Sequence, residues 1–117
     1  MPRPPKKKNE PYQTNFAESN NMLDQAPIGA FKTTPEGRFL YANQALADMY
    51  GYATPQDLVA SVQNISAELF ADPKDRTAVI SLLENGGIIK NYECEHIRKD
   101  GSLFWTSGSI RTVYEED

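Results

Sequence analysis

The stretch IGAFKTTPEGRFLYANQALADMYGY, residues 28–52, reads as a hairpin that feeds a short helix. Ile28–Thr33 and Arg38–Ala42 are rich in β-branched and aromatic residues. Between them, Thr34-Pro35-Glu36-Gly37 supplies a preset φ followed by a glycine free to take φ > 0. Asn43 can accept from the free backbone N–H groups at the start of a helix over Gln44–Tyr50, and Gly51 suits the left-handed residue just past its end. Leu46, Met49 and Tyr50 share one side of that helix, which gives it a face to bury against the hairpin.

Working outward towards the C-terminus, Thr54-Pro55-Gln56-Asp57 is a second helix start. Thr54 caps it, Pro55 comes first in the helix, Asp57 sits near the positive end of the dipole, and Leu58 and Val59 are expected inside. Residues 61–70 have no clear period; Ile65, Leu69 and Phe70 are the expected buried points of one further helical turn. Asp72-Pro73-Lys74-Asp75 repeats the start signal and opens the clearest helix, with Val79, Leu82 and Leu83 inward and Gly86-Gly87 as its stop. From Ile88 the period becomes two. Ile89–Arg98 and Leu103–Val113 read as strands joined by Lys99-Asp100-Gly101-Ser102, and Asp-Gly between two β-rich runs is a hairpin signal. Tyr92, Cys94 and His96 share one side of the first strand and Glu93 and Glu95 the other, so Tyr92 and Cys94 are expected core contacts. In the second strand Phe104, Thr106, Gly108 and Ile110 alternate with Leu103, Trp105, Ser107 and Ser109. Apolar residues stand on both sides, so helices are expected over one face and a further element or another protein over part of the other.

Towards the N-terminus, Met1–Thr14 has no hydrophobic period and several prolines, and reads as an extended or disordered basic leader. Asn15–Gln25 is a short cap helix, ended by Pro27, with Phe16, Asn20, Leu23 and Ala26 on one side; its apolar stripe is too sparse to stand alone and should dock on a sheet or a second copy. The domain proper is then 27–117.

The chain has 117 residues, 39% of them hydrophobic, which suits one core rather than two. No run approaches the roughly 20 apolar residues that span a bilayer, and no apolar stretch follows the basic start as a secretory signal would, so a cytoplasmic location without membrane insertion is expected. Cys94 is the single cysteine and can make neither an internal disulfide nor, alone, a structural zinc site. Arg3, Lys6, Lys7 and Lys8 are basic and precede every acidic residue; residues 9–117 carry 8 basic and 16 acidic groups, a net of −8, which argues against nucleic-acid binding by the folded body.

The order strand, strand, several short helices, strand, strand resembles the PAS domain in the form found in bacterial sensor kinases. The resemblance is carried by Ala26-Pro27-Ile28-Gly29, Pro35-Glu36-Gly37-Arg38, Asn43 with Met49-Tyr50-Gly51-Tyr52, Thr54-Pro55-Gln56-Asp57-Leu58, Asp72-Pro73-Lys74-Asp75-Arg76, and Arg98-Lys99-Asp100-Gly101-Ser102 followed by Phe104-Trp105. It implies an α+β fold, with a five-stranded antiparallel sheet and short helices over one face enclosing a small cavity. It also implies a sensory and dimerisation module that signals to an attached effector, such as a histidine kinase or a cyclic-dinucleotide enzyme. In the family the last strand lies in the middle of the sheet, and the sequence ends at Tyr114-Glu115-Glu116-Asp117 before one could form. Something is therefore expected to fill its place: the Met1–Asn15 arm, a strand of a second copy, or a rearranged Leu103–Glu115 strand.

If the resemblance holds, Leu46, Tyr50, Phe70, Val79, Leu83, Tyr92, Cys94, Thr106 and Ile110 line the cavity, or fill it with side chains and leave no room for a ligand. Tyr50, Tyr92 and Thr106 are the polar points that could orient a small molecule. His96 as a haem ligand is weighed against an exposed or half-buried sheet histidine, which its strand favours, because the family's haem-binding histidine usually sits elsewhere. Cys94 as a flavin-adduct cysteine is weighed against a packed thiol, favoured because Gln63-Asn64-Ile65-Ser66, where the light-sensing branch carries its Asn-Cys, has no cysteine. Haem and flavin are thus disfavoured, and a small-molecule ligand stays open. Phe16, Leu23, Leu103 and Trp105 are expected to form a docking or homodimer surface. No Ser-His-Asp spacing and no glycine-rich phosphate loop appear, so a regulatory module is expected rather than an enzyme. The alternative to sensing is a ligand-free scaffold that only dimerises.

Overall fold

The computed structural model describes residues 22–112. After a helical turn at residues 22–24, the chain runs through β1 (Phe31–Thr33), β2 (Phe39–Ala42), α1 (Gln44–Tyr50), α2 (Pro55–Ser61), α3 (Ile65–Leu69), α4 (Pro73–Gly86), β3 (Ile88–Ile97) and β4 (Leu103–Arg111). The expected leader, Met1–Thr14, and most of the expected cap helix, including Phe16, lie outside the described residues.

Each helix starts where a side chain satisfies an orphan backbone donor. Asn43 accepts from Leu46, Thr54 from Asp57, Asn64 from Ala67 and Asp72 from Lys74. Gly51 at φ 84° closes α1 and Gly87 at φ 83° closes α4, both in the left-handed region that a side chain disfavours. The β1–β2 turn is held from two sides. The Gly37 carbonyl accepts from Ile65 N at 2.9 Å, and the Arg76 guanidinium donates to the carbonyls of Thr34 at 3.0 Å and Pro35 at 3.4 Å. The first hairpin is thereby tied to α3 and α4.

β3 and β4 pair antiparallel from Ile97↔Leu103 back to Ile88↔Arg111, with a bulge between Ile89 and Tyr92 where Asn91 takes φ 54°. That extra residue resets the alternation, so Ile88 lies on the side of Leu103 and Trp105. The opposite side packs the core: Phe39, Ala42, Leu46, Tyr50, Leu58, Val62, Ile65, Leu69, Phe70 and Cys94 form one buried cluster, with Tyr52, Val59, Tyr92 and Phe104 against it.

Several expectations are corrected. The strands form two two-stranded sheets, β1-β2 and β3-β4, and among the described residues no strand joins them into one. β4 stays paired with β3 as far as Arg111, so it does not rearrange to bridge the gap. Leu82 is 49% exposed: α4 buries a narrow stripe through Val79, and Leu82 falls off it. Met49 is 37% exposed at the edge of the core, with Gly29 close to its sulfur.

That close approach yields a test. A Cβ at Gly29 would stand 2.8 Å from Leu46 Cδ1, 2.9 Å from Met49 Sδ and 3.2 Å from Leu46 Cα. The side-chain ends can swing away, but the α1 backbone must move. Gly29→Ala is expected to lower stability by about 1–2 kcal/mol, read as a lower urea midpoint with unchanged slope.

Candidate functional site

The cluster that could carry function is built on α1 and β3. Capping by Asn43 fixes the start of α1, so Tyr50, in its last turn, reaches across the core to β3. Alternation along β3 turns Cys94 and His96 to the same side. The Tyr50 hydroxyl and His96 Nδ1 are 2.6 Å apart, and both residues are buried, at 6% and 8% exposure. Aromatic rings enclose them. Phe70 lies 4.4 Å from the imidazole between centroids, and Phe104 meets the Tyr50 ring edge-on at 5.3 Å and 78°. The Arg98 guanidinium covers the Phe104 ring at 4.4 Å.

Burial sets the protonation states. It pushes the His96 pKa down to about 4, against a smaller opposing pull from Asp75, so the imidazole is neutral at pH 7. It raises the Tyr50 pKa, with Cys94 adding a smaller push, so the phenol keeps its proton. A protonated phenol beside a neutral imidazole makes O–H donation to Nδ1 the strong arrangement, which leaves the ring proton on Nε2. Burial also raises the Cys94 thiol, again with a lesser push from Asp75, so this cysteine is a packed, protonated group and a poor nucleophile.

Of the residues expected around a cavity, Leu46, Tyr50, Phe70 and Cys94 meet in the buried cluster and Tyr92 packs against it. Val79 is buried on α4, while Leu83, Thr106 and Ile110 are half-buried. His96 corrects the reading of a half-exposed sheet histidine: it is a buried partner of Tyr50. The signal was its place two residues after Cys94 on the same strand side. Of the expected docking residues, Leu103 and Trp105 are 52% and 69% exposed on β4. Leu23 is half-buried instead, and its carbonyl accepts from Asn43 Nδ2 at 2.7 Å. An open groove elsewhere runs along β2 and α2, lined by Tyr41, Gln56 and Val59, with Asp24 accepting from the Tyr41 hydroxyl at 2.6 Å.

Among the described residues no group of three His, Cys, Asp or Glu is placed to hold a metal ion, and no helix is long and apolar enough to cross a membrane.

A PAS domain family model matches residues 27–117. The chain is 33% identical over 106 residues to the bacterioopsin transcriptional activator of Halobacterium salinarum; the match covers 81% of this chain and 14% of that protein. A domain of a sensory box sensor histidine kinase/response regulator from Geobacter sulfurreducens superposes with a TM-score of 0.68 at 18% identity, over 91% of this chain and 90% of that one. The PAS domain of a Colwellia psychrerythraea protein gives 0.70 at 21% identity, over 88% and 86%. At those identities the two structures speak for the fold.

Proposed function

Because the chain belongs to the PAS-domain family, we propose that this sensory domain works by self-association, passing the geometry of a homodimer to an effector joined to it in the same cytoplasmic polypeptide. The observation that carries this reading is the outer face of β3 and β4. Ile88, Leu103 and Trp105 are 60%, 52% and 69% exposed there, on a strand pair whose inner side is already buried. The same face carries Glu93 and Glu95 nearer the Leu103 end and Arg111 at the other. A two-fold pairing of two copies, end over end, would set Arg111 of each near the carboxylates of the other, so the face is complementary to itself. The inner cluster supports a packed interior: of the side chains expected to surround a ligand, Leu46, Tyr50, Phe70 and Cys94 pack into one core with Tyr92 against it.

Trp105→Glu tests this. A buried interface tryptophan is worth about 2 kcal/mol or more, so the dimer constant from sedimentation equilibrium is expected to weaken at least about thirtyfold, with an unchanged circular dichroism spectrum. A monomeric wild type, or a Trp105→Glu dimer as tight as wild type, would show the reading to be wrong. The small-ligand reading draws on the Tyr50–His96 pair, the polar point inside the cluster. It would take the lead if native mass spectrometry found a retained small molecule that Tyr50→Phe releases.

A further inference from the structure

We infer that the depression beside Arg76 binds a small phosphate-class oxyanion, either free phosphate or the phosphoryl group of a monoester. The site lies apart from the outer sheet face and does not depend on self-association.

Arg76 is 7% exposed, yet among the described residues no carboxylate comes within ion-pair distance of it. Two of a guanidinium's five N–H groups reach the carbonyls of Thr34 and Pro35, which leaves three without a partner among the described residues. Those carbonyls offset some of the desolvation, but they do not neutralise the charge. A buried cation without a counter-charge is costly, and burial is what lowers its pKa.

The depression beside it, about 230 Å³, is lined by Pro35, Ser66, Arg76, Thr77, Ile80 and Ser81. Thr77 and Ser81 are four apart on α4 and so share a face, and Ser66 comes from α3. Three hydroxyls from two helices therefore border one uncompensated guanidinium, and no carboxylate is in the lining. An oxyanion with several acceptor oxygens suits that donor set. The charge of the body limits the ligand's size. Residues 9–117 carry a net of −8, and Glu36, Asp72 and Asp75 are close in sequence, so a polyanion would be repelled where a small anion can enter.

The test is a titration of the intact chain with sodium phosphate, followed in ¹H–¹⁵N correlation spectra against sodium chloride of equal ionic strength. Saturable shifts confined to residues 34–37, 66, 77 and 81 are expected, with half-saturation near ~1 mM. Arg76 also holds the β1–β2 turn, so the main variant is Ser81→Asp, which sets a carboxylate at an exposed edge of the depression. It is expected to weaken phosphate at least about tenfold and to leave the remaining spectrum in place. Phenyl phosphate, run in parallel, separates the sources: half-saturation at lower concentration than phosphate points to a monoester, equal or higher to the free anion. No saturable shift by ~50 mM phosphate, or the same titration curve in Ser81→Asp, overturns the inference.

Discussion

Asn43→Ala is expected to destabilise the domain by about 4 kcal/mol, a large part of the 5–15 kcal/mol typical of a whole domain. Asn43 is fully buried, and its amide makes four hydrogen bonds. Oδ1 accepts from Leu46 N at 3.0 Å, the capping bond, and from Ala30 N at 2.9 Å. Nδ2 donates to the carbonyls of Leu23 at 2.7 Å and Ile28 at 2.9 Å. One side chain thus joins the start of α1 to the strand entry and to the segment before it. Alanine would strand the buried Leu46 N–H and the half-buried groups of Ala30 and Leu23, each worth about 1–3 kcal/mol if nothing replaces the bond, while the Ile28 carbonyl, in an exposed residue, can turn to water. Thr54→Ala, which removes an exposed cap accepting from Asp57, is the internal standard and should cost about 1 kcal/mol. Urea unfolding of the two variants decides the matter. If they lose equal stability, the long-range bonds of Asn43 add nothing beyond capping.

The second large effect is on acid stability. His96 has a folded pKa of about 4 against 6.5 for the free side chain. Between these values the unfolded chain binds the proton and the folded chain does not, so the contribution of His96 to stability falls as pH drops from 6.5 to 4 and levels off below. The full shift corresponds to about 3 kcal/mol. His96→Gln removes the titration while keeping a polar group for the Tyr50 hydroxyl to meet. The measurement is the difference in unfolding free energy between wild type and His96→Gln at a series of pH values, which cancels the carboxylates common to both. The wild-type advantage is expected to shrink across that window. A constant difference would mean that the imidazole is not held neutral by its surroundings.

What the sequence showed and what it concealed divide along the range of the interactions. Asn43, Thr54 and Asp72 were legible as caps and Gly51 and Gly87 as stops, because each acts within one turn of chain. The Asp100–Gly101 hairpin was legible for the same reason. The further bonds of Asn43 span 13 to 20 residues and left no local trace. The burial of His96 depends on Tyr50, 46 positions away, and on the Phe70 ring, which α3 delivers beside it. A polar residue on a strand shows its side but not the depth of what faces it. Strict alternation also missed the bulge at Asn91 and hence the outward turn of Ile88. Arg76 stood only in a block that carries the family resemblance, and nothing nearby in the chain showed that it reaches back to the carbonyls of Thr34 and Pro35.

Tyr50 is gripped at both ends by the same hairpin: its carbonyl accepts from Lys99 N at 2.8 Å, and its hydroxyl meets His96 on the strand leading there. With two anchor points, α1 cannot swivel about one contact while the hairpin stays still. The last turn of α1 and the β3–β4 hairpin are thus joined through the backbone and the side chain of a single residue. Replacing the side chain would take away the hydroxyl anchor and leave the carbonyl one, because the bond to Lys99 N belongs to the backbone.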